Sequence, residues 1–349
     1  MSKKKSLLSE LTNQIVAAIE EADFSEDKIS ELIESIVSEG QNELFESLKK
    51  NAPPMLKEER RAKRSFEDRN YRRWKEPLDL LRTMWVCCQE IAESHAHEGP
   101  LDGDELTFDT LAHLQPKALL ILSEILSLLE SGFADGALAR WRSLHEVTVV
   151  GMFISKHGHE AALAYRLSMW FSNLRAANQY NRHANRANLA PITHAEVSKI
   201  EQKCAESREL LGRELKSDWD WASSILKKTR PNFADLEREV GLDHWRPRFK
   251  WACQHIHAGF VRPDRLLGMT EADNFAFQVG ASNSGLVEPL QMSAISLMQI
   301  TNTFLLFPEP NVDRLVFANV LAAFSDEIGM VALRTKDETL KEALKDARE

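Results

Sequence analysis

Cysteine is scarce: four residues (Cys87, Cys88, Cys204 and Cys253) in a chain of 349 do not make a disulfide framework. The adjacent pair Cys87 and Cys88 suits buried thiols in a reducing compartment better than a bridge. Glycine (14) and proline (12) are also few, too few for the frequent turns of a β-sandwich or barrel. No segment sustains period-two alternation, and no repeat of solenoid length is present. A glycine-rich phosphate loop, a GxSxG elbow, a paired CxxC and the Glu-x-x-His pair of a di-iron bundle are all missing. No cofactor and no metal are therefore expected. Basic residues are outnumbered, 44 Lys and Arg against 53 Asp and Glu, for a net charge of -9. That balance excludes broad, non-specific nucleic-acid binding over the whole surface and leaves room for a local basic patch.

Two segments bear on membranes and export. The N-terminal Met1–Lys5 has the basic start of a signal peptide, but Glu10 and Thr12-Asn13-Gln14 interrupt any apolar core. Residues 289–308 carry no charge, yet Gln291, Ser293, Ser296, Gln299 and Thr301 make them too polar for lipid and natural for a buried helix. The expectation is a cytoplasmic protein with no membrane span.

What is present is helical periodicity. Leu7, Leu8, Leu11, Ile15 and Ile19 fall at three- and four-residue steps, and Ser25 or Asp27 can cap a following helix towards Gly40. Asn51-Ala52-Pro53-Pro54 predicts a stop, followed by a dense charge run, Glu58–Arg64. Trp74, Leu78, Leu81, Trp85 and Ile91 mark a long helix with Pro77 near its start. Further helices are predicted at 106–130, 136–158, 159–188, 196–216, 233–240, 245–260, 286–307 and 312–334, with a charged helical tail at 336–349. The fold class is all-α: a multi-helix bundle core with an N-terminal helical extension. Residues 1–65 read as a helical module or arm, or equally as a first layer on the same core; 66–310 form the main domain and 311–349 a C-terminal helix and tail.

Two clusters carry candidate chemistry. In Ala139–Glu146, the residues Arg142, His145 and Glu146 stand at i, i+3 and i+4 on one face of an otherwise apolar helix. Such a triplet either satisfies itself as a register-fixing ion pair or faces a cleft, with Arg140 or Arg142 holding an anion and His145 moving a proton. In Trp245–Gly259, Arg248 and His255 lie seven apart on one face; Cys253 and His257 lie four apart on another, half of a metal site with no source for its other half. Gly280–Gly285 reads as a loop capping the next helix.

At these residues the sequence resembles a bacterial family of unknown function, number 5677 in its series. The resemblance rests on Pro116–Ile121, Gly136–Glu146, Phe249–Ala258 and Ala281–Leu286, and spans roughly residues 66–307. It implies membership and no established activity. A second similarity is to HEPN-type helical ribonucleases, which carry an Arg, four to six residues, then a His. Arg140 to His145 and Arg248 to His255 fit that spacing. This similarity implies RNA as partner, a homodimer in which two motifs meet, and metal-independent cleavage in bacterial defence or stress. The Arg would stabilise the phosphate and the His would act on the ribose hydroxyl. The candidate catalytic set is thus Arg140, Arg142, His145, Glu146, His255 and His257. The alternatives are a non-catalytic helical sensor or scaffold, whose cluster is structural or ligand-binding, and a small-molecule enzyme using Arg142, His145, Glu146 and His257 in one pocket.

Overall fold

A computed structural model of the chain describes residues 26–100, 104–271 and 279–346. Over the described residues it has nine α-helices and no strand: α1 (Glu26–Glu98), α2 (Glu105–Glu130), α3 (Ala134–His183), α4 (His194–Leu211), α5 (Ser223–Leu226), α6 (Phe233–Glu239), α7 (Arg246–Gln254), α8 (Val287–Leu305) and α9 (Val312–Asp346). The all-α bundle expected from periodicity is the fold. The chain divides into two units, Met1–Phe66 and Glu67–Glu349. The amphipathic run Leu7–Ile19 lies outside the described residues.

In the first unit the stretch 26–66 is helical throughout, which corrects the stop expected at Asn51–Pro54. Pro53 and Pro54 cannot donate to the carbonyls of Lys49 and Lys50, but both prolines are exposed, so water can reach those carbonyls. Phe45 and Met55 are also exposed there.

In the second unit Pro77 lies inside α1 and not near a helix start, where the periodic run places it. It cannot donate to the Arg73 carbonyl, and the helix departs from regular geometry at Trp74 (φ -101°, ψ 17°). Asp104 caps α2, its carboxylate accepting from the Thr107 amide at 3.2 Å. Gly132, at φ 77°, turns the chain into α3. The break predicted at Gly158 is present (φ 63°), dividing α3 into two arms. Thr193 and Glu196 close a capping box on α4, whose surface is mostly exposed.

The core sits where α2, α3 and α8 meet, with α9 packed on α8 and α4 on α3. Trp74, Trp141, Phe153, Leu122 and Leu297 are among its fully enclosed side chains. Gly151 lets α3 approach α8 closely: a Cβ there would lie 2.3 Å from Ile300 Cδ1. Within the charge-free stretch Ser296 and Thr301 are buried and paired across helices, while Ser293 Oγ is buried without a partner. Trp141 Nε1 donates to Ser296 Oγ at 2.9 Å, Thr148 Oγ1 to the Ser296 carbonyl at 3.0 Å, and Gln115 Nε2 to Thr301 Oγ1 at 2.9 Å. Burial pushes the Cys88 thiol up to about 12, so it is inert at neutral pH.

Three helix lengths differ from expectation. α4 ends at Leu211 rather than Lys216, closed by Gly212 at φ 65°. α7 ends at Gln254 rather than Phe260, and beyond it Ile256 and Phe260 are 48% and 95% exposed. No packed face sustains further turns. α9 absorbs the predicted tail into one helix to Asp346. By length and composition α2 and the stretch Val312–Lys341 are apolar enough to cross a membrane, and each has a face buried in the bundle.

Candidate functional site

Three elements converge on the first half of α3. Asn232 and Asp235 start α6, the Asp235 carboxylate accepting from the Asn232 amide at 2.9 Å and from Lys228 Nζ at 2.7 Å. One turn later α6 delivers Glu237, fully enclosed, to α3. His145, also fully enclosed, donates from Nε2 to Glu237 Oε1 at 3.0 Å. The other carboxylate oxygen lies 2.9 Å from Arg246 Nη1, at the start of α7. Aromatic rings wall the imidazole: Trp141 at 5.2 Å, Phe249 at 5.8 Å and Phe233 at 5.9 Å between centroids. The Phe249 ring carries two guanidinium groups, Arg142 at 4.9 Å and Arg246 at 5.2 Å.

The anticipated partnership of Arg142 with Glu146 is not formed. Among the described residues Arg142 has no ion-pair partner, and its Nε is buried without a hydrogen bond. Glu146, half-buried, has its carboxyl raised above the ordinary range by burial, against the pull of Arg142 and Lys117. Arg140 points elsewhere, pairing with Glu124 of α2 and donating to Ser143 Oγ at 3.2 Å. Arg140 and His145 therefore meet different surroundings, as five residues of helical rotation require.

The two sequence clusters do come together, but His145 and Arg142 meet Phe249 and not His255 or His257. α7 lies against α3 by way of Phe249. His255 Nδ1 is 3.3 Å from Asp135 Oδ1 at the first turn of α3, ten residues and about 15 Å of helix from His145. His257 is exposed beyond the end of α7. Arg248 pairs with Glu288 at 2.5 Å.

Sequence reasoning missed the acids that organise this region. Asp135 accepts from the amides of Leu267 and Gly268 at 2.8 and 3.1 Å, besides its contact with His255. Ser284 Oγ donates to the Leu267 and Gly268 carbonyls at 3.2 and 2.9 Å, while the Asn283 carbonyl accepts from Trp74 Nε1 at 2.8 Å. The loop Gly280–Gly285 is thus a latch joining α1, the start of α3 and the chain before α8. Arg73 and Glu271 form a nearly enclosed pair beside it at 2.7 Å. A signal for Glu237 existed: it stands four residues after Phe233, on the apolar face of α6.

Four cavities of 420 to 570 Å³ lie on the second unit, and none is lined by Arg140, Arg142, His145, Glu146, His255 or His257. Among the described residues no group of three or more His, Cys, Asp or Glu is arranged to hold a metal ion.

Fold and site together define an all-α bundle protein whose principal buried charges cross-link helices. The model of the family of unknown function DUF5677 matches residues 108–275, from α2 to just past the Asp135-bound turn. The match covers a little under half of the chain, and through that segment the chain is similar to this family. No curated protein and no solved structure matches the chain.

Proposed function

We propose that the protein is a non-catalytic helical scaffold, in which the Arg/His/Glu cluster ties α3 to α6 and α7. One observation carries this reading: His145 is fully buried and its Nε2–H is committed to a fully buried carboxylate. A general acid or base must come within hydrogen-bond reach of its substrate, and a phosphate-binding Arg must share that cleft, whereas Arg140 is engaged on another face.

The test is incubation of the full chain with single-stranded RNA in chelator, alongside Arg140→Ala, an exposed substitution compatible with folding. No cleavage by either protein is the expected result. Cleavage by the wild type that Arg140→Ala abolishes, with helicity unchanged, would establish a HEPN-type ribonuclease instead and overturn the scaffold reading.

One feature favours a ligand-binding form of the same scaffold: the guanidinium of Arg142, stacked on Phe249, makes no ion pair among the described residues, and its Nε is buried without a hydrogen bond. If that group takes an anion, inorganic phosphate raises the unfolding midpoint of the wild type and leaves Arg142→Gln unmoved.

A further inference from the structure

α9 is apolar on two opposite faces. Its inner face buries Leu321, Ile328, Val331 and Ala332 against the bundle. Its outer face exposes Val312 (75%), Val316 (54%), Val320 (43%) and Met330 (59%), with Leu315 and Leu333 beside them. Val312, Val316 and Val320 recur at four-residue steps, and Met330, ten residues on, returns to the same side of the helix, so they form one stripe. A helix apolar all round is normally covered on both sides, and a patch of this extent marks a contact surface.

We infer that the outer face of α9 pairs with α9 of a second copy, antiparallel about Ala323. The charges select this occupant and this direction. Asn319, Asp326 and Glu327 interrupt the middle of the stripe, where a lipid-facing helix would have to bury them in hydrocarbon. In a parallel, in-register pair, Asp326 and Glu327 would face their own copies. In the antiparallel pair Glu327 faces the partner's Asn319, Asp326 faces the partner's Val320, and Asp313 comes beside the partner's Arg334, which also pairs with Glu76 of its own chain at 2.7 Å. Val316 lies over the partner's Met330, twice by symmetry, and Ala323 at the crossing point lets the backbones approach. The contact is isologous and closes at two chains. It is independent of the His145 cluster, so it stands whichever reading of that cluster holds.

The experiment is the solution mass of the full chain by light scattering at about 20 μM, a concentration at which a Kd of ~1 μM gives mostly dimer. Twice the chain mass of 39.7 kDa is expected, returning to one chain in Val316→Glu/Val320→Glu with unchanged helicity. Because that variant can fail to fold, a second measurement uses single cysteines. Val316→Cys mixed with Met330→Cys forms an inter-chain disulfide, while Val316→Cys alone does not. A monomeric wild type overturns the inference, as does a dimer that survives the glutamates or a disulfide formed by Val316→Cys alone. So does a monomer that floats with phosphatidylcholine–phosphatidylglycerol vesicles through this face, which would make the occupant a membrane.

Discussion

Removing the Glu237 carboxylate probes the cluster most directly. In Glu237→Ala the sealed imidazole of His145 loses its acceptor and Arg246 loses its counter-ion. Breaking one partner out of a buried pair costs ~3–5 kcal/mol, because the remaining charge stays in a poor solvent. The Arg246 side chain keeps 27% of its surface exposed and can recover part of its hydration, so the lower end, about 3 kcal/mol, is expected. At roughly 2–4 °C per kcal/mol for a large domain, the melting temperature should fall by about 6 °C or more. Urea unfolding followed by tryptophan fluorescence suits the measurement, since Trp141 lies 5.2 Å from the His145 ring. Glu124→Ala, which breaks the exposed pair with Arg140, is the control and should cost under ~1 kcal/mol. Arg246→Ala and the double variant complete a cycle whose coupling should reach ~1–3 kcal/mol. Replacing His145, Glu237 and Arg246 together by Leu, Leu and Met should restore much of the loss, because well-packed apolar groups substitute for buried charges at little cost. A Glu237→Ala loss below about 1 kcal/mol, or a cycle without coupling, would refute the cross-link.

Three further outcomes are expected. Glu146→Gln should raise the urea midpoint at pH 7, since burial holds the folded carboxyl above the 4.5 of the unfolded chain and disfavours its charged form. The penalty is complete above the folded pKa and disappears as pH falls towards 4.5, so the gain should shrink on acidification; a loss at pH 7 would contradict this. His95 donates from Nε2 to the Phe304 and Phe307 carbonyls, and burial, with Arg314 adding to it, keeps its pKa below 6.5. The unfolded chain therefore binds the proton first as pH falls below 6.5, so the contribution of His95 is full above that value and declines beneath it. Calorimetry should show a smaller cost for His95→Gln at pH 5.5 than at pH 7.5; an equal or larger cost at low pH would exclude the linkage. Gly285→Ala should lose at least ~2 kcal/mol by urea unfolding, because φ is 78° and the new Cβ would lie 2.2 Å from the Leu267 carbonyl oxygen; a neutral effect would mean that the latch yields.

Residues close in sequence settled most of the secondary structure. The breaks at Gly132 and Gly158 act through the dihedrals of their own turn, so they are legible without a fold, whereas Pro77, read as a helix start, kinks a longer helix at Trp74. Polar residues without charge at 289–308 likewise announced a buried helix, because a core accepts hydroxyls and amides that can find partners. Where an outcome depended on water or on packing, the local signal failed. The helix passes through Pro53-Pro54 where their side chains are exposed, and α7 stops when its apolar residues have nothing to bury against.

The charged cluster marks the limit most clearly. Helical spacing alone placed Arg142, His145 and Glu146 on one side of α3, and their types made them candidates for proton transfer. Their partners come from elsewhere: Glu237 is 92 residues from His145, and Asp135 receives His255 from α7. Those pairings arise only when α6 and α7 dock on α3. Long-range docking depends on which apolar faces fit together, and no short stretch of sequence encodes that by itself. Periodicity was enough to say that the chain is a helical bundle; only the packed bundle decided that its histidine is a tie between helices instead of a group facing solvent.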